Sequence, residues 1–494
     1  MKESTKPGRQ QLASLFAEFV DPKYVIEDLE TQRVYECDGL PMYCEMPLLV
    51  VLPESVEQIQ KIMLICHEYQ IPVVARGAGT GLSAGALPKA DGILLSLAKF
   101  TKILEIDPVA RTARLQPGVR NLAISEAAAP YGLYYAPDPS SQIACTIGGN
   151  IAENSGGVHC LKYGLTVHNV LQVEMVTVEG ELIQIGNEGL DASGYDLLAL
   201  ITGSEGLLGV ITEVIVKLLP TPDKAQVIMA AFETVQQAGD AVAAVISRGI
   251  IPAGLEMMDS HAIKAAEDFA HAGYPTQAKA LLLCEVDGTL AEVQEHIEKV
   301  DFIFKEMGAT STRISRDEAE RALLWKGRKS AFPAVGRISP DYYCMDGTIP
   351  RRKIAYVLEE MERMSQHYSL RVANVFHAGD GNLHPLILFD TSIPGEFEKA
   401  EEFGARILQL CVEVGGCITG EHGVGVEKIR QMAIQFNDEE IQQFHGIKAA
   451  FDPDGTLNPG KGIPLLKRCQ EYRTLQPEGL PVPQDPETQH EIKQ

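Results

Sequence analysis

The sequence predicts a two-domain α+β protein, and three features of the chain support this. Up to about Leu219, helical patterns alternate with short apolar strands and glycine-rich loops. At Pro220–Lys224, proline punctuation coincides with a change of pattern, which indicates a domain boundary. Beyond that point, long amphipathic helices alternate with strands, which favours a mainly antiparallel sheet covered by helices on one face. The chain has 494 residues, enough for more than one core.

Composition and charge exclude several classes of protein. The apolar fraction of 45% is ordinary for a globular chain. The sequence contains no run of about 18 apolar residues, so it predicts no membrane-spanning helix. A net charge of −24 argues against binding to nucleic acid or an anionic membrane, because both present negative surfaces. Met1–Gln11 is polar and lacks the apolar stretch of a signal peptide, so we expect a cytoplasmic protein.

The 10 cysteines are scattered and form no Cys-x-x-Cys pair. We therefore expect buried free thiols in a reducing compartment. The same spacing argues that this chain carries no iron–sulfur cluster of its own.

Local patterns place the first elements. Ser55 caps a predicted helix, and Gln58 occupies the second position of a capping box. The apolar face of this helix consists of Val56, Ile59, Met63, Cys66 and Tyr69. Predicted strands follow at Pro72–Ala75, Ile93–Leu97 and Leu104–Ile106, and another helix runs from Asn121 to near Gly132.

The second half contains longer elements. Helical spacing predicts helices at Val235–Ser247, Leu290–Met307, Lys353–Tyr368 and Phe397–Val414. Strands are predicted at Lys279–Val286 and Leu386–Phe389. The segment after Cys469 is rich in Pro, Gln and Glu, so we expect it to be disordered.

A glycine-rich loop follows the strand at Pro72–Ala75. Glycines in Val74–Gly85 let backbone N–H groups approach phosphate oxygens. Gly79–Ala84 also matches the G-x-G-x-x-A pattern of a dinucleotide-binding Rossmann turn, but that pattern must open a helix. Gly85, Pro88 and Gly92 interrupt any such helix. The sequence therefore favours a phosphate-cradling loop between strands.

Two further stretches have the same character. Pro137–Ser141 leads into Thr146–Gly157, and Gly203–Thr212 follows later. Small and amide residues at this density fit a backbone that lies against a large planar ligand. Taken together, the three loops predict a nucleotide cofactor rather than unrelated surface turns.

The segment Val375–Pro385 carries the strongest chemical signal. His377 and His384 flank a tight Gly-Asp-Gly-Asn turn, so antiparallel strands would bring their imidazoles to one end of a sheet. Glu421 follows in a second glycine-framed motif. Two imidazoles and a carboxylate suit a divalent metal, and these ligand types leave Zn²⁺, Mn²⁺ and Fe²⁺ open.

Two neighbouring residues complete this prediction. His422 stays available as a general base beside the metal ligands. Asn382 has two interpretations, either as a residue that orients a ligand or as the left-handed residue of the turn.

As an ordered set, these motifs resemble the FAD-linked oxidases of the vanillyl-alcohol oxidase type, in the branch that includes glycolate oxidase and D-lactate dehydrogenase. The resemblance spans about Pro47 to Pro464 and includes Gly254–Asp259 and Asp452–Lys461. It implies a two-domain FAD-binding fold of the p-cresol methylhydroxylase (PCMH) type with an α+β substrate-capping domain. The implied division is an N-terminal helical segment at 1–46, an FAD-binding domain at 47–222, a capping domain at 223–468 and a tail at 469–494. The end of the capping domain, near Asn458, would return to the flavin domain.

The resemblance also implies which residues bind FAD. Those expected at the cofactor are Arg76, Gly77, Ala78, Gly79, Thr80, Gly81, Leu82, Pro137, Asp138, Thr146, Gly148, Gly149, Asn150, Asn154, Gly156, Gly157, Glu205, Gly209, Ile211 and Asn458. Thr80 stands where related covalent flavoproteins have their attachment histidine, so we expect non-covalent FAD. His159 lies close to a flavin loop, but we interpret it as a structural histidine.

The implied chemistry is oxidation of a small 2-hydroxy acid. The metal held by His377, His384 and Glu421 would bind the hydroxyl and one carboxylate oxygen, and His422 would take the hydroxyl proton while hydride passes to flavin N5. By resemblance, Arg328 would clamp the carboxylate. Cys344 and Met345 replace a lysine of related 2-hydroxyglutarate enzymes, which favours a monocarboxylate.

The expected function is thus an FAD-dependent glycolate or D-lactate dehydrogenase. The expected electron acceptor is a quinone or an iron–sulfur partner subunit, through which the protein would be peripheral to a membrane; a homodimer is also compatible. The alternatives are a D-2-hydroxyglutarate dehydrogenase, a flavin-binding component of an electron-transfer complex without its own turnover, and a nicotinamide-dependent Rossmann enzyme that would not be yellow.

Overall fold

A computed structural model describes residues 6–189, 194–466 and 468–469 of the chain. Its α-helices are α1 (Arg9–Ala17), α2 (Leu29–Gln32), α3 (Val56–Glu68), α4 (Asn121–Ala128), α5 (Ile147–Glu153), α6 (Cys160–Tyr163), α7 (Leu197–Ile201), α8 (Val235–Ser247), α9 (Ser260–Ala270), α10 (Leu290–Glu306), α11 (Glu318–Lys329), α12 (Ala331–Val335), α13 (Ile354–Tyr368), α14 (Glu396–Glu413), α15 (Ile429–Gln435) and α16 (Asp438–Phe451). The segment after Cys469, which is predicted to be disordered, lies outside the described residues.

The strands are β1 (Val25–Ile26), β2 (Leu49–Val51), β3 (Val73–Arg76), β4 (Ile93–Ser96), β5 (Ile103–Asp107), β6 (Thr112–Leu115), β7 (Leu133–Tyr134), β8 (Val170–Val176), β9 (Leu182–Gly186), β10 (Val210–Lys217), β11 (Leu219–Pro220), β12 (Lys224–Phe232), β13 (Gly254–Asp259), β14 (Ala280–Gly288), β15 (Ser311–Ile314), β16 (Asp341–Cys344), β17 (Val372–Phe376) and β18 (Pro385–Phe389). We call residues 6–220 the N-terminal region and residues 224–451 the C-terminal region.

The N-terminal region contains two larger sheets. One has the order β1-β2-β4-β3, in which β2, β4 and β3 are parallel, and the other is antiparallel with the order β5-β6-β10-β8-β9. Helix α3 packs Ile59 and Met63 into the core of the first sheet. Ser55 caps the helix as predicted, since its Oγ accepts from the Gln58 N–H at 3.4 Å. The capping box is not completed, because Gln58 Oε1 accepts from the Glu54 N–H at 2.6 Å rather than from the Ser55 N–H. The link between β3 and β4 contains no helix, as predicted, so a Rossmann turn is excluded there.

The C-terminal region is built on a seven-stranded antiparallel sheet with the order β15-β12-β14-β13-β17-β18-β16. Helices α8, α10, α13 and α14 cover one face, and α9, α11 and α12 cover the other. The prediction of helices on one face is therefore wrong. Strand β14 shows the reason: Leu282 and Cys284 enter one core and Leu281 and Leu283 enter the other, so both faces are apolar and both need cover.

The chain returns to the N-terminal region after α16. Leu457 forms a parallel bridge with Val73 at the edge of the first sheet. The Asn458 side-chain amide donates to the carbonyls of Gly85 at 3.0 Å and Glu205 at 2.7 Å. These bonds attach the segment after α16 to the N-terminal region, while the domain boundaries inferred from the sequence stay predictions.

Two further sequence expectations can be compared with the structure. All 10 cysteines are free, but Cys44 is exposed and Cys37 and Cys417 are only partly buried, so the expectation of buried thiols is wrong for Cys44. Among the described residues, no helix has both the length and the hydropathy needed to cross a bilayer.

Candidate functional site

A cavity of about 240 Å³ lies where the glycine-rich loops of the N-terminal region meet the C-terminal region. Fourteen of the residues predicted to bind FAD line it: Arg76, Gly77, Ala78, Gly79, Thr80, Gly81, Leu82, Thr146, Gly148, Gly149, Asn150, Glu205, Gly209 and Ile211. The other six do not line it: Pro137, Asp138, Asn154, Gly156, Gly157 and Asn458. The structure thus brings all three predicted loops to one space.

The residues behind the wall hold its shape. Asn154 adopts a left-handed φ of 54°, and its Oδ1 accepts from the Val167 N–H at 2.9 Å. A Cβ on Gly157 would lie 2.5 Å from the Asp138 carbonyl oxygen. A Cβ on Gly156 would lie 2.5 Å from Glu421 Oε2, so this glycine lets the C-terminal region approach.

The loop after β3 fits a phosphate-bearing cofactor. Gly79 has φ +69°, and a Cβ there would meet the Arg76 guanidinium. That guanidinium donates to the carbonyls of Tyr35 at 3.2 Å and Cys37 at 2.6 Å, so it holds the loop from beneath. Thr146 Oγ1, opposite Gly77, is buried and has no hydrogen-bond partner among the described residues. We call the loop at residues 76–82 the glycine cradle. Its small residues and the unpaired Thr146 hydroxyl fit the phosphate groups of a nucleotide cofactor.

The two predicted histidines lie at the end of a β-hairpin. Strands β17 and β18 are antiparallel, with Asn374 opposite Pro385, and the His377 N–H donates to the Asn382 carbonyl at 3.0 Å. The two imidazole centroids are 5.1 Å apart, as the hairpin pattern predicts. Gly381 supplies the left-handed residue with φ +86°, so that interpretation of Asn382 is wrong.

Glu421 joins the two imidazoles. Its Oε1 lies 2.9 Å from His384 Nε2 and 3.5 Å from His377 Nε2. Burial opposes ionisation, but the hydrogen bonds from the two histidines hold the pKa of Glu421 well below its ordinary value. Two imidazole nitrogens around one carboxylate are a donor set that fits Zn²⁺, Mn²⁺ or Fe²⁺.

His422 stacks on His384, with ring centroids 5.0 Å apart. Its Nδ1 is buried and has no hydrogen-bond partner within the described part of the chain. Burial lowers the pKa of His422 to about 4, although Asp346 opposes this. The imidazole is therefore neutral at physiological pH.

Asp346 was not predicted, yet it organises this turn. Its carboxylate accepts from the N–H groups of Gly420, Glu421 and His422 at 2.8–3.1 Å. Burial raises its pKa, but His422 and Lys428 hold the pKa at about 2. Ligand atoms of Asp346, His384, Glu421 and His422 lie within 4.8 Å of one another. This group does not include His377, which is linked to it through Glu421.

Arg328 lies behind His377 rather than on the cavity wall. The Arg328 side chain is 2% exposed, and its Nε donates to Glu256 Oε2 at 2.9 Å. Glu256 Oε1 accepts from His377 Nδ1 at 2.7 Å, which directs Nε2 of that ring towards Glu421. Glu256 and Glu421 hold the pKa of His377 well above its ordinary value, despite burial. Glu256 lies in the Gly254–Asp259 motif of the family resemblance, but the sequence assigned it no role in the site.

Two carboxylates on the cavity wall lie beside the turn that contains Glu421 and His422. Glu205 accepts from the N–H groups of Val424 and Gly425, both at 2.7 Å. Glu153 also lines the cavity, and burial together with the neighbouring Glu205 raises its pKa well above the ordinary value. Glu205 was predicted and Glu153 was not.

His159 is a satisfied structural histidine, as the sequence suggests. Its Nδ1 lies 3.0 Å from Asp138 and its Nε2 lies 3.2 Å from Glu285. Burial lowers its pKa, but the two carboxylates outweigh this and raise the pKa to about 10. It joins the two regions through ion pairs.

Comparison with known proteins is consistent with this architecture. The chain matches the FAD binding domain over residues 47–186 and the C-terminal domain of FAD linked oxidases over residues 221–462. Glycolate oxidase subunit GlcD of Escherichia coli (strain K12) is 65% identical over 89% of this chain and 88% of its own length. GlcD of Bacillus subtilis (strain 168) is 41% identical, with coverages of 92% and 97%. D-lactate dehydrogenase of Archaeoglobus fulgidus is 34% identical, with coverages of 85% and 92%.

Solved structures show the same fold at low identity. p-Cresol methylhydroxylase with bound substrate superposes with a TM-score of 0.78 and 18% identity, covering 94% of this chain and 98% of that one. 4-Ethylphenol oxidase from Gulosibacter chungangensis has a TM-score of 0.75 and 20% identity, with coverages of 92% and 97%. The fold is therefore the two-domain FAD-binding fold of the PCMH type, as predicted.

The fold and the cavity define a flavoprotein oxidoreductase with an FAD-binding domain. The chain belongs to the FAD-linked oxidases of the vanillyl-alcohol oxidase type, within the branch of GlcD-type glycolate oxidases and D-lactate dehydrogenases.

Proposed function

We propose that this protein oxidises glycolate or D-lactate to the corresponding 2-oxo acid in an FAD-dependent reaction. The observation that carries the proposal is that His384, Glu421 and His422 line the same cavity as the three glycine-rich loops. A substrate in that cavity would contact both the histidine cluster and the cofactor. The names of the curated relatives point to the same substrates.

The cofactor in this proposal is non-covalent FAD. The fourteen cavity-lining residues named above would hold it, and Thr80 offers no imidazole for covalent attachment. Bound FAD supplies the hydride acceptor. Around it, the glycine cradle leaves backbone N–H groups free to bind phosphate oxygens, and Arg76 keeps the cradle in place.

The metal in this proposal is a divalent ion held by His377, His384 and Glu421. A bound divalent ion supplies Lewis-acid chemistry, which lowers the pKa of a hydroxyl group. Asp346 fixes the backbone that presents Glu421 and His422, and Glu256 fixes the tautomer of His377. These residues prepare the site before substrate arrives.

The proton in this proposal goes to His422. Its neutral ring is buried in the cavity wall and carries an unpaired nitrogen, so it can accept the substrate hydroxyl proton. We do not propose Arg328 as the clamp for the substrate carboxylate. Its buried guanidinium is paired with Glu256 and does not line the cavity.

For the electrons, we propose transfer to a quinone or to an iron–sulfur partner subunit. Two bacterial relatives are named as subunits, which supports a partner. Such a partner would hold a cytoplasmic protein at the membrane. A homodimer is compatible with the same arrangement.

Anaerobic stopped-flow reduction of the flavin tests the proposal. We expect glycolate or D-lactate to bleach the flavin, with L-lactate and D-2-hydroxyglutarate much slower. Reduction by D-2-hydroxyglutarate alone would favour that dehydrogenase instead. A yellow protein whose flavin none of the acids reduces would contradict the proposal and favour a flavin-binding component of an electron-transfer complex. A colourless protein that binds NAD would also contradict the proposal.

A further inference from the structure

The wall that the C-terminal region contributes to the cavity has an unusual composition. Within the described residues, it consists of Phe332, His384, Glu421 and His422. Three of these carry polar or ionisable groups, and Phe332 is the single apolar side chain among them. A substrate held by the polar groups would therefore have one apolar surface on this side.

Phe332 is held firmly in place. Its ring packs edge-on against His384 at a centroid distance of 6.3 Å and against Tyr342 at 6.4 Å. It lies on α12, where Ala331, Ala334 and Val335 are buried in the core beneath the sheet. The ring is partly buried, so moving it aside would break these two ring contacts while the buried residues of α12 hold the backbone in place.

A 2-hydroxy acid divides its groups between these two kinds of surface. Its hydroxyl and carboxylate would bind to the polar groups of the site, because polar groups buried without partners cost free energy. The remaining substituent on the reacting carbon then seeks apolar surface. Leu82 and Ile211 also line the cavity, but from the N-terminal region among the loops that would hold FAD.

We propose that Phe332 sets the largest substituent that the substrate can carry on its reacting carbon. The proposal rests on the function proposed above. It predicts that hydrogen, as in glycolate, and methyl, as in D-lactate, are accepted, and that longer chains meet the ring. One methylene in an apolar pocket typically changes the specificity constant by about 10- to 200-fold.

The test compares Phe332→Ala with wild type in anaerobic flavin reduction by glycolate, D-lactate and D-2-hydroxybutyrate. The ratio of specificity constants, D-2-hydroxybutyrate over glycolate, should rise by about tenfold or more. A second readout is equilibrium binding of glyoxylate, pyruvate and 2-oxobutyrate to the oxidised flavoprotein, which involves no turnover. The matched control is Phe269→Ala, since Phe269 lies on α9 of the same region, is 38% exposed and does not line the cavity. Its ratio should equal that of wild type.

The outcomes separate this inference from the proposed function. If wild type is not reduced by any of the acids, the proposed function fails. If wild type is reduced and the Phe332→Ala ratio stays within about twofold of wild type, with FAD and metal retained, the role of Phe332 is overturned. Should Phe332→Ala lose metal through its contact with His384, Phe332→Leu decides, because it keeps apolar packing while shortening the side chain. An unchanged ratio in that variant would equally overturn the proposal.

Discussion

The part of the chain that the structure describes contains two buried histidine–carboxylate clusters, and they differ in what their ring nitrogens contact. His159 has a carboxylate on each nitrogen, Asp138 at 3.0 Å and Glu285 at 3.2 Å. In the other cluster, His384 Nδ1 lies 3.9 Å from Asp346, beyond hydrogen-bond distance, and His422 Nδ1 is buried without a partner among the described residues. The first cluster is complete and the second is open.

This difference separates a structural role from a chemical one. A buried polar atom without a partner costs about 1–3 kcal/mol, so a fold retains it where another molecule completes it. The closed cluster joins the two regions. The open cluster lines the cavity and is therefore the candidate for metal and substrate binding.

The largest effect should come from the open cluster. Replacing Glu421 with alanine removes the carboxylate between His377 and His384, so we expect loss of bound metal. The several kcal/mol of charge stabilisation that a metal supplies corresponds to a roughly thousandfold slower flavin reduction. Metal analysis and stopped-flow reduction measure both effects, and the flavin spectrum checks that FAD stays bound. Full activity in this variant would rule out the metal role.

A substitution in the closed cluster should lower the stability of the protein rather than its activity. Replacing His159 with glutamine leaves Asp138 and Glu285 without their shared cation, and we expect a loss of about 3 kcal/mol in the free energy of unfolding. Because the pKa of His159 is raised to about 10, its contribution is full below about pH 6.5 and is lost as the pH rises towards 10. The difference between wild type and variant should therefore narrow over that range.

Urea unfolding at several pH values measures this difference. Metal content serves as the control and should not change. A difference in unfolding free energy that stays constant from about pH 6.5 to about pH 10 would contradict the charged state assigned to His159.

An intermediate effect should follow from Glu256, which connects His377, a proposed metal ligand, to Arg328. Replacing Glu256 with glutamine keeps its size but removes the charge that fixes the tautomer of His377. Loss of such an outer partner typically lowers metal affinity about 10- to 100-fold. Competition with a chelator measures the affinity. Unchanged affinity would place Glu256 with the structural carboxylates instead.

The smallest effect should come from a histidine outside both clusters. His445 makes one hydrogen bond, from Nε2 to the Pro464 carbonyl at 3.0 Å. Replacing it with alanine should cost about 1 kcal/mol of stability and leave metal content and flavin reduction unchanged. A change in flavin reduction would show that hydrogen-bond partners do not distinguish these histidines.

Much of the fold could be predicted where one pattern is repeated along the chain. Helix α8 has the predicted bounds, α10 and α13 differ from the prediction by one residue at one end, and α14 differs by one residue at each end. The amphipathic spacing of these helices is local and needs no tertiary information. The sequence analysis did not predict that α9, α11 and α12 would cover the second face of the sheet. It overlooked that both the odd and the even positions of a strand are apolar, so that both faces of the sheet need cover.

The candidate site divides in the same way. The glycine loops and the His377–His384 turn are contiguous motifs, so the sequence indicated them. Glu256 and Arg328 meet across 72 residues, and Asp346 meets Glu421 across 75. Such pairs have no period, and only the folded topology brings them together. Phe332 was missed for the same reason, since its short helix gives no local sign that it faces the cavity.

Glu205 links the cavity wall to the segment that follows His422, and this link bears on how the protein would retain a nucleotide and an ion. Glu205 lies on the cavity wall and accepts hydrogen bonds from the N–H groups of Val424 and Gly425, just beyond Glu421 and His422. With both sites occupied as proposed, we expect that ordering either one would restrain the other through this carboxylate. By thermodynamic reciprocity, nucleotide and ion should each strengthen the retention of the other. Protein purified without one of them would then be expected to release the other more readily.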